Sequence, residues 1–501
     1  MGLHVPNIRV FPVEGWFRSI FDSAARPGDG FVQARFDGLC SFAPFWAAAS
    51  IFSLAAEMTS LSGQAGGLRF FAFWIALSSA LVVIIWPRAT AALIVLSGVM
   101  VALYVVRLPV ASNNQTIGLF MNAGLLTIVA VCYGQGLRGQ ALRETLYDRM
   151  RPIARGLLAV MYFYGIFHKI NSDFLDPAVS CAVGLYIPLA APFGLADSIV
   201  GKYLAIGATF VIEAITIVSL FWRRYFAVGL LLALLFHYII PISAYAWYMD
   251  FSSLVFALYM LSMPKGVSES VYRGGSRMLS PARVKLGRPG ILLPGLLTVG
   301  FSSVLVGVLA LKFPDRDTLQ LYHSVWIIVW AVVGGVAMVA IARAALEFFP
   351  YDGAASPRQP HWVNAFPIAL LISCLSPYLG LKTESAINMF SNLHTEGGTS
   401  NHLLLPTPPY IFGYQENVAR IVDSSHPWMR ALARNDKHLV DFALKKFLLD
   451  NPTHWVTFEQ REKRFEKKTI ADFPDYKPNL LERKLLVFKE IDWRRPKVCT
   501  H

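Results

Sequence analysis

The chain has 501 residues, of which 55% are apolar and only 15% charged. A soluble domain carries about 25% charged residues, so the composition argues against a soluble enzyme and against disorder, and for a polytopic membrane protein. The formal charge of +13 comes from 45 Lys and Arg against 32 Asp and Glu. In a membrane protein such an excess sets orientation first, and no nucleic-acid partner is expected from it.

Trp16, Phe17, Ile20 and Phe21 stand at helical spacing, which predicts a short interfacial helix over 13–24 in an N-terminal segment, 1–38. The first long apolar run starts near Leu39, after several charges, unlike a cleavable signal. A membrane helix needs roughly 20 apolar residues. Such runs stand at 39–57, 68–86, 89–106, 116–134, 154–169, 202–221, 225–247, 248–263, 291–311, 323–342 and 362–380. They predict an all-α polytopic membrane protein of about eleven transmembrane helices. Residues 177–199 are apolar but broken by Pro177, Pro188 and Pro192, and read as an interfacial or re-entrant segment.

Positive charge falls on alternate loops. Arg9, Arg18, Arg26 and Arg35 precede the first run, and Arg138, Arg143, Arg149 and Arg151 lie in the fourth loop. Arg223 and Arg224 lie in the sixth, and Lys265, Arg273, Arg277, Arg283, Lys285 and Arg288 in a basic loop, 264–290. That side is expected to be cytoplasmic, which puts the N-terminus inside the cytoplasmic (inner) membrane and the C-terminal tail outside.

The expected organisation is therefore a membrane domain at 39–263, the basic loop, additional membrane helices at 291–380 and an extracytoplasmic domain at 381–501. The last is close to charge balance. Helical spacing over 427–449 and strand-like stretches at 454–465 and 482–492 predict a small α+β domain docked on the membrane body. The five cysteines, Cys40, Cys132, Cys181, Cys374 and Cys499, form no C-x-x-C pair and read as free, mostly buried thiols. No phosphate-binding G-x-x-x-x-G-K-[ST] loop is present, which argues against an ATP-driven pump.

Ionisable groups within membrane runs are costly and are functional suspects. Lys169 ends the fifth run in YFYGIFHKINSDFLD, Glu213 lies inside the sixth, and His237 lies inside the seventh. Asn113, Asn114 and Gln115 open the fourth. His237 stands about 18 Å along its helix at 1.5 Å per residue. With the orientation above, Lys169, Gln115 and His237 all fall in the outer half, as one outward-opening cavity would require. His168, Asp173 and Tyr164 flank Lys169 as candidates to orient it. Each suspect also has a plain reading: Lys169 as a snorkelling anchor, His237 as a satisfied core histidine, Glu213 as a structural partner. In the tail, Thr395, Glu396, Asn401 and His402 offer a second polar cluster, while Gly397 and Gly398 suit a structural loop. The tail histidines lack metal-ligand spacing, and no metal is expected.

Several segments in order resemble a known family. They are FVQARFDG at 31–38, SNNQTIGLF at 112–120, YFYGIFHKINSDFL, and the stretch from Glu213 to Ile239, an acidic span, a basic turn and a histidine span. Over roughly residues 15–263 the chain resembles the horizontally transferred transmembrane (HTTM) domain superfamily, which includes vitamin K-dependent γ-glutamyl carboxylase. Residues 380–405 look like a feature of a bacterial branch. The resemblance implies that Lys169 matches a lysine that deprotonates a hydroquinone cofactor, and that His237 matches a family histidine. Gln115 replaces a second family histidine, with Asn114 matching its neighbour. Gln shuttles no proton near neutral pH but donates a hydrogen bond. The carboxylase's large luminal substrate domain has no counterpart here.

Three functions follow. One is a membrane-embedded enzyme using a lipophilic quinol, with Lys169 as base and His237, Gln115 and Asn114 orienting or stabilising an oxyanion. The second is a scaffold whose tail binds an extracytoplasmic protein or peptide. The third is a transporter with a polar path through Glu213 and His237.

Overall fold

The computed structural model describes residues 36–61, 67–243, 248–275, 316–349, 359–388, 390–493 and 496–499. The expected interfacial helix at 13–24, the run at 291–311 and most of the basic loop lie outside the described residues. In chain order the helices of the membrane body are α1 (Leu39–Leu61), α2 (Leu68–Ile85), α3 (Thr90–Arg107), α4 (Asn113–Gly134), α5 (Gly139–Phe167) and α6 (Ser172–Leu175). They continue with α7 (Cys181–Ala190), α8 (Ile199–Phe221), α9 (Phe226–Ser243), α10 (Met249–Ser262), α11 (Arg316–Glu347) and α12 (Ala365–Cys374).

Among the described residues, 7 helices are long and apolar enough to cross a membrane: α1, α2, α3, α4, α8, α9 and α11. Of the other four expected runs, 291–311 lies outside the described residues, and three fold otherwise for physical reasons. The run at 154–169 is the apolar end of α5, a 29-residue helix whose first half carries Arg143, Glu144, Asp148, Arg149 and Arg151. The run at 248–263 is α10, only 14 residues and buried along nearly its whole length. A helix that is apolar all round can be wrapped by protein rather than lipid, and α10 packs against α1, α5 and α9. The run at 362–380 folds as the 10-residue α12 between two 3-10 turns, against α4 and α5. The proline-broken stretch 177–199 becomes α7 and a 3-10 turn at Ala191–Phe193 before α8 begins.

Charged residues fasten this body at one end. Arg143 Nε meets Asp37 Oδ2 at 2.6 Å, and its other nitrogens donate to Asp37 Oδ1, Thr90 Oγ1 and the carbonyls of Pro87 and Arg88. Gly38 beside it has φ +54 and backs onto Tyr147, whose ring would lie 2.6 Å from any Cβ. Arg151 and Arg155 donate to the carbonyls of Leu261, Ser262 and Met263 and so cap the C-terminus of α10.

The tail carries a five-stranded antiparallel sheet in the order β4-β3-β1-β2-β5. The strands are β1 (Val418–Ser424), β2 (Lys437–Val440), β3 (Val456–Gln460), β4 (Lys463–Lys468) and β5 (Ile491–Asp492). Helices α13 (Pro427–Arg434), α14 (Asp441–Asp450) and α15 (Leu480–Leu485) complete it. Ala419, Ile421, Leu432, Leu448 and Phe458 share its core.

Two expectations for the tail are corrected, and a third, the strand-like stretch 454–465, is resolved into a hairpin. The helical spacing over 427–449 belongs to two helices, α13 and α14, with β2 between them; Asp436 at φ 52 turns the chain into that strand. The stretch 454–465 is the first arm and turn of the β3–β4 hairpin, with Arg461 and Glu462 both at positive φ, as a tight two-residue hairpin turn needs. The stretch 482–492 is mostly not strand. Asn479 and Glu482 form a reciprocal cap that starts α15, and only Ile491–Asp492 pairs.

Candidate functional site

The polar residues singled out in the sequence divide into three neighbouring groups. The first joins α5, α8 and α9. Lys169 Nζ, just past the end of α5, meets Glu213 Oε1 of α8 at 2.5 Å, and both side chains are buried. The backbone allows this approach because Gly165 faces Glu213; a Cβ there would lie 3.3 Å from Oε2. Among the described residues, Glu213 Oε2 has no hydrogen-bond partner. On α9, His237 Nε2 lies 3.1 Å from the Tyr162 hydroxyl of α5, and His237 Nδ1 has no partner among the described residues. The charge of Lys169 acts on His237, and that of Glu213 on Tyr162. Aromatic rings flank both pairs: Phe174 lies 5.9 Å from Lys169 Nζ, and Phe236 and Phe251 lie 5.3 Å and 5.5 Å from the His237 ring.

The second group holds Asn114 and Gln115, which do not touch Lys169 or His237. Gln115 Oε1 accepts from the Ser112 backbone N–H at 3.2 Å, closing a capping box at the start of α4. Its Nε2 donates to Glu57 Oε1 at 2.5 Å, and Glu57 also pairs with Arg107 at 2.8 Å. Asn114 Nδ2 donates to Asp250 Oδ2 at 2.8 Å. A cavity of about 10 Å³ lies beside them, lined by Trp46, Ser50, Ser53, Tyr104, Asn114 and Asp250, on the scale of one water. Phe251, next to Asp250, carries the contact between this group and His237.

The third group is the seam between the membrane body and the tail. His168 Nε2 donates to the Ala386 carbonyl at 3.1 Å, which leaves Nδ1 to accept from the Tyr378 hydroxyl at 2.7 Å. His168 therefore orients the tail rather than Lys169. Tyr164 likewise turns away, its hydroxyl donating to the Leu371 carbonyl at 3.2 Å. The strip 168–173 pairs with the strip 391–403. Ser172 N–H donates to the Asn401 carbonyl at 3.1 Å, and Leu403 N–H to that of Ile170 at 2.9 Å. Asn401 Nδ2 reaches Asp173 Oδ2 at 3.0 Å, and His402 Nε2 donates to the Phe167 carbonyl at 2.8 Å. A cavity of about 270 Å³ opens here between Ser172, Asp173, Ser400, Asn401, His402 and Lys497.

Deeper in the seam, Lys489 Nζ donates to the Asn388 carbonyl at 3.2 Å, and its charge is felt by His394 and Glu384. Burial lowers the pKa of Lys489, and burial together with nearby lysines lowers that of His394. Burial pushes the Glu384 carboxyl up to about 7. Glu396 Oε2 accepts from the Thr395 N–H at 3.0 Å, while its Oε1 has no partner among the described residues. So Asn401 and His402 join the Lys169 strip through its backbone, and Glu396 lies apart from them.

The cysteine reading is corrected here. Cys181 and Cys499 form a disulfide across a separation of 318 residues, and Cys40, Cys132 and Cys374 are buried free thiols. The tail strip makes the pairing possible. Asn392 Oδ1 accepts from the Cys181 N–H at 2.8 Å, and its Nδ2 donates to the Lys497 carbonyl at 3.4 Å, holding both ends together.

Sequence reasoning missed Tyr162, Glu57, Asp250 and Lys489. Asp250 carried a signal, a single acidic residue within the apolar stretch 225–263. Tyr162 carried none, because a tyrosine in an apolar helix is unexceptional. No protein-family model, curated protein or solved structure matches the chain.

Proposed function

We propose that this is an integral membrane protein whose Lys169–Glu213 and Tyr162–His237 pairs form an acid–base site for a lipid-soluble hydroquinone. One observation carries the reading. Two polar atoms, Glu213 Oε2 and His237 Nδ1, are buried without partners among the described residues, beside an ion pair. An unsatisfied buried polar group costs about 1–3 kcal/mol, and such costs collect at functional sites.

The residues fit the ligand class. Phe174 beside Lys169, and Phe236 and Phe251 beside His237, supply aromatic neighbours for a quinone ring, and the two open atoms supply polar handles. A hydroquinone supplies an acidic hydroxyl and electrons when bound. Glu213 Oε2 accepts the hydrogen bond from that hydroxyl, and the Lys169 ammonium offsets the negative charge left when the proton moves. Lys169 keeps the place the HTTM resemblance gives it, but as the counter-cation, and Glu213 takes the base role. Gln115 and Asn114 serve a different part of the body.

The test is quinone binding in lipid nanodiscs. Wild type is expected to bind, Lys169→Arg to bind with at least about tenfold weaker affinity, and the charge-free double variant Lys169→Met/Glu213→Leu to lose binding. Equal behaviour of all three chains would leave the scaffold or transporter readings in its place.

We further place the tail on the extracytoplasmic side of the inner membrane. Alternating loop charge supports this, and so does the Cys181–Cys499 bond, since disulfides persist in oxidising compartments. Alkylation of the denatured protein from native membranes is expected to modify Cys40, Cys132 and Cys374, with Cys181 and Cys499 added only after reduction. Five modified thiols without reductant would reverse the placement.

A further inference from the structure

The tail exposes large apolar side chains at sites where it touches the ends of membrane helices. On α15, Leu480 and Leu481 are 73% and 68% exposed. Between them and Leu485, Lys484 Nζ donates to the carbonyls of Val105, Val106 and Leu108 at 3.4, 3.1 and 3.3 Å, at the C-terminus of α3. Ile411 is 69% exposed, and its neighbour Phe412 donates its N–H to the Leu379 carbonyl at 2.9 Å, just past α12. Leu404 is 62% exposed and follows Leu403, which is bonded to Ile170 just past α5.

Each tip lies at the end of a helix that itself exposes apolar side chains. Val105, Val106 and Val110 are exposed beside α15; Ile368 and Ile372 are exposed on α12; Phe163 is exposed on α5. In a bundle whose long helices suit a bilayer, such side chains face hydrocarbon. Apolar tips carried past the helix ends, with a lysine ammonium set among helix-end carbonyls, suit the boundary between acyl chains and headgroups.

We infer that the tail is a lipid-seated domain: the Leu403–Leu404, Ile411–Phe412 and Leu480–Leu481–Leu485 tips insert into the leaflet at the base of the tail. The occupant is phospholipid, because the three tips are separate and each stands at the end of a different helix that exposes apolar side chains. A protein partner needs one joined face instead. The tail thus has a fixed height and tilt over the membrane site, set by lipid as well as by the seam.

The test uses the full chain in phospholipid nanodiscs. Leu404→Cys, Ile411→Cys and Leu481→Cys are each labelled with an environment-sensitive nitrobenzoxadiazole dye. Glu466→Cys on β4, 72% exposed at the side chain, is the water-facing control, and the unsubstituted chain reports any labelling of the native thiols. Phospholipid carrying a nitroxide near the headgroup is expected to quench the three tip labels at least about twofold and to leave the control unchanged. A blue-shifted, unquenched label would show a protein or second copy covering the tip, and a water-like, unquenched label would show no cover. Either result overturns the inference. An intact Cys181–Cys499 bond in each variant confirms that the tail is still seated.

Discussion

Lys169→Met alone is expected to cost about 3–5 kcal/mol of folding stability, and adding Glu213→Leu in the same chain is expected to restore most of it. The single change leaves a carboxylate buried between α5 and α8 with no cation, in surroundings where Oε2 already lacks a partner. Removing both charges removes the desolvation penalty of both, and leucine and methionine match the apolar neighbours. A denaturant titration of the three variants in detergent measures the coupling directly. Losses that simply add would mean the pair is solvated and structurally unimportant. Recovery of stability in the double variant without recovery of quinone binding separates the two roles of the pair. It would show that the chain keeps a destabilising charge pair for chemistry rather than for folding.

The parts of this protein that could be read from sequence are those governed by local composition. Runs such as 202–221 need only be apolar and long to announce a membrane helix. The run at 248–263 is just as apolar, yet α10 is short and enclosed, because enclosure depends on neighbours that composition does not specify. Lys169, Glu213 and His237 stood out because charge in an apolar run is rare. Their pairing did not, since 44 residues separate Lys169 from Glu213 and the choice between Glu213 and another partner rests on helix rotation. Gln115 shows the reverse error. Its S-x-x-Q context was a visible helix-start signal, and the cap it forms explains its burial without any role near Lys169. The Cys181–Cys499 bond was hidden for a different reason. It depends on the strip 391–403 returning the chain to α7, a long-range event that no spacing rule encodes.

Arg143→Ala is expected to be the most damaging single change at the opposite end of the body, with a loss of about 3–5 kcal/mol. Its guanidinium spans Asp37 at the entry to α1, and Pro87, Arg88 and Thr90 in the turn from α2 to α3. Truncation leaves Asp37 buried without its cation and frees two carbonyls at once. Arg143→Lys is expected to recover only part of the loss. A lysine ammonium has three donors on one atom and cannot reach a carboxylate and two separate backbone carbonyls in one plane. Asp37→Asn should cost less than Arg143→Ala, because the amide still accepts from the guanidinium and the turn contacts survive. Unfolding midpoints of the three variants give the order. Equal losses for Lys and Ala would assign the effect to charge alone, whereas the graded order assigns it to the geometry of the guanidinium fork. Quinone affinity in surviving Arg143→Lys protein should match wild type, since this cluster and the Lys169 site share no contact.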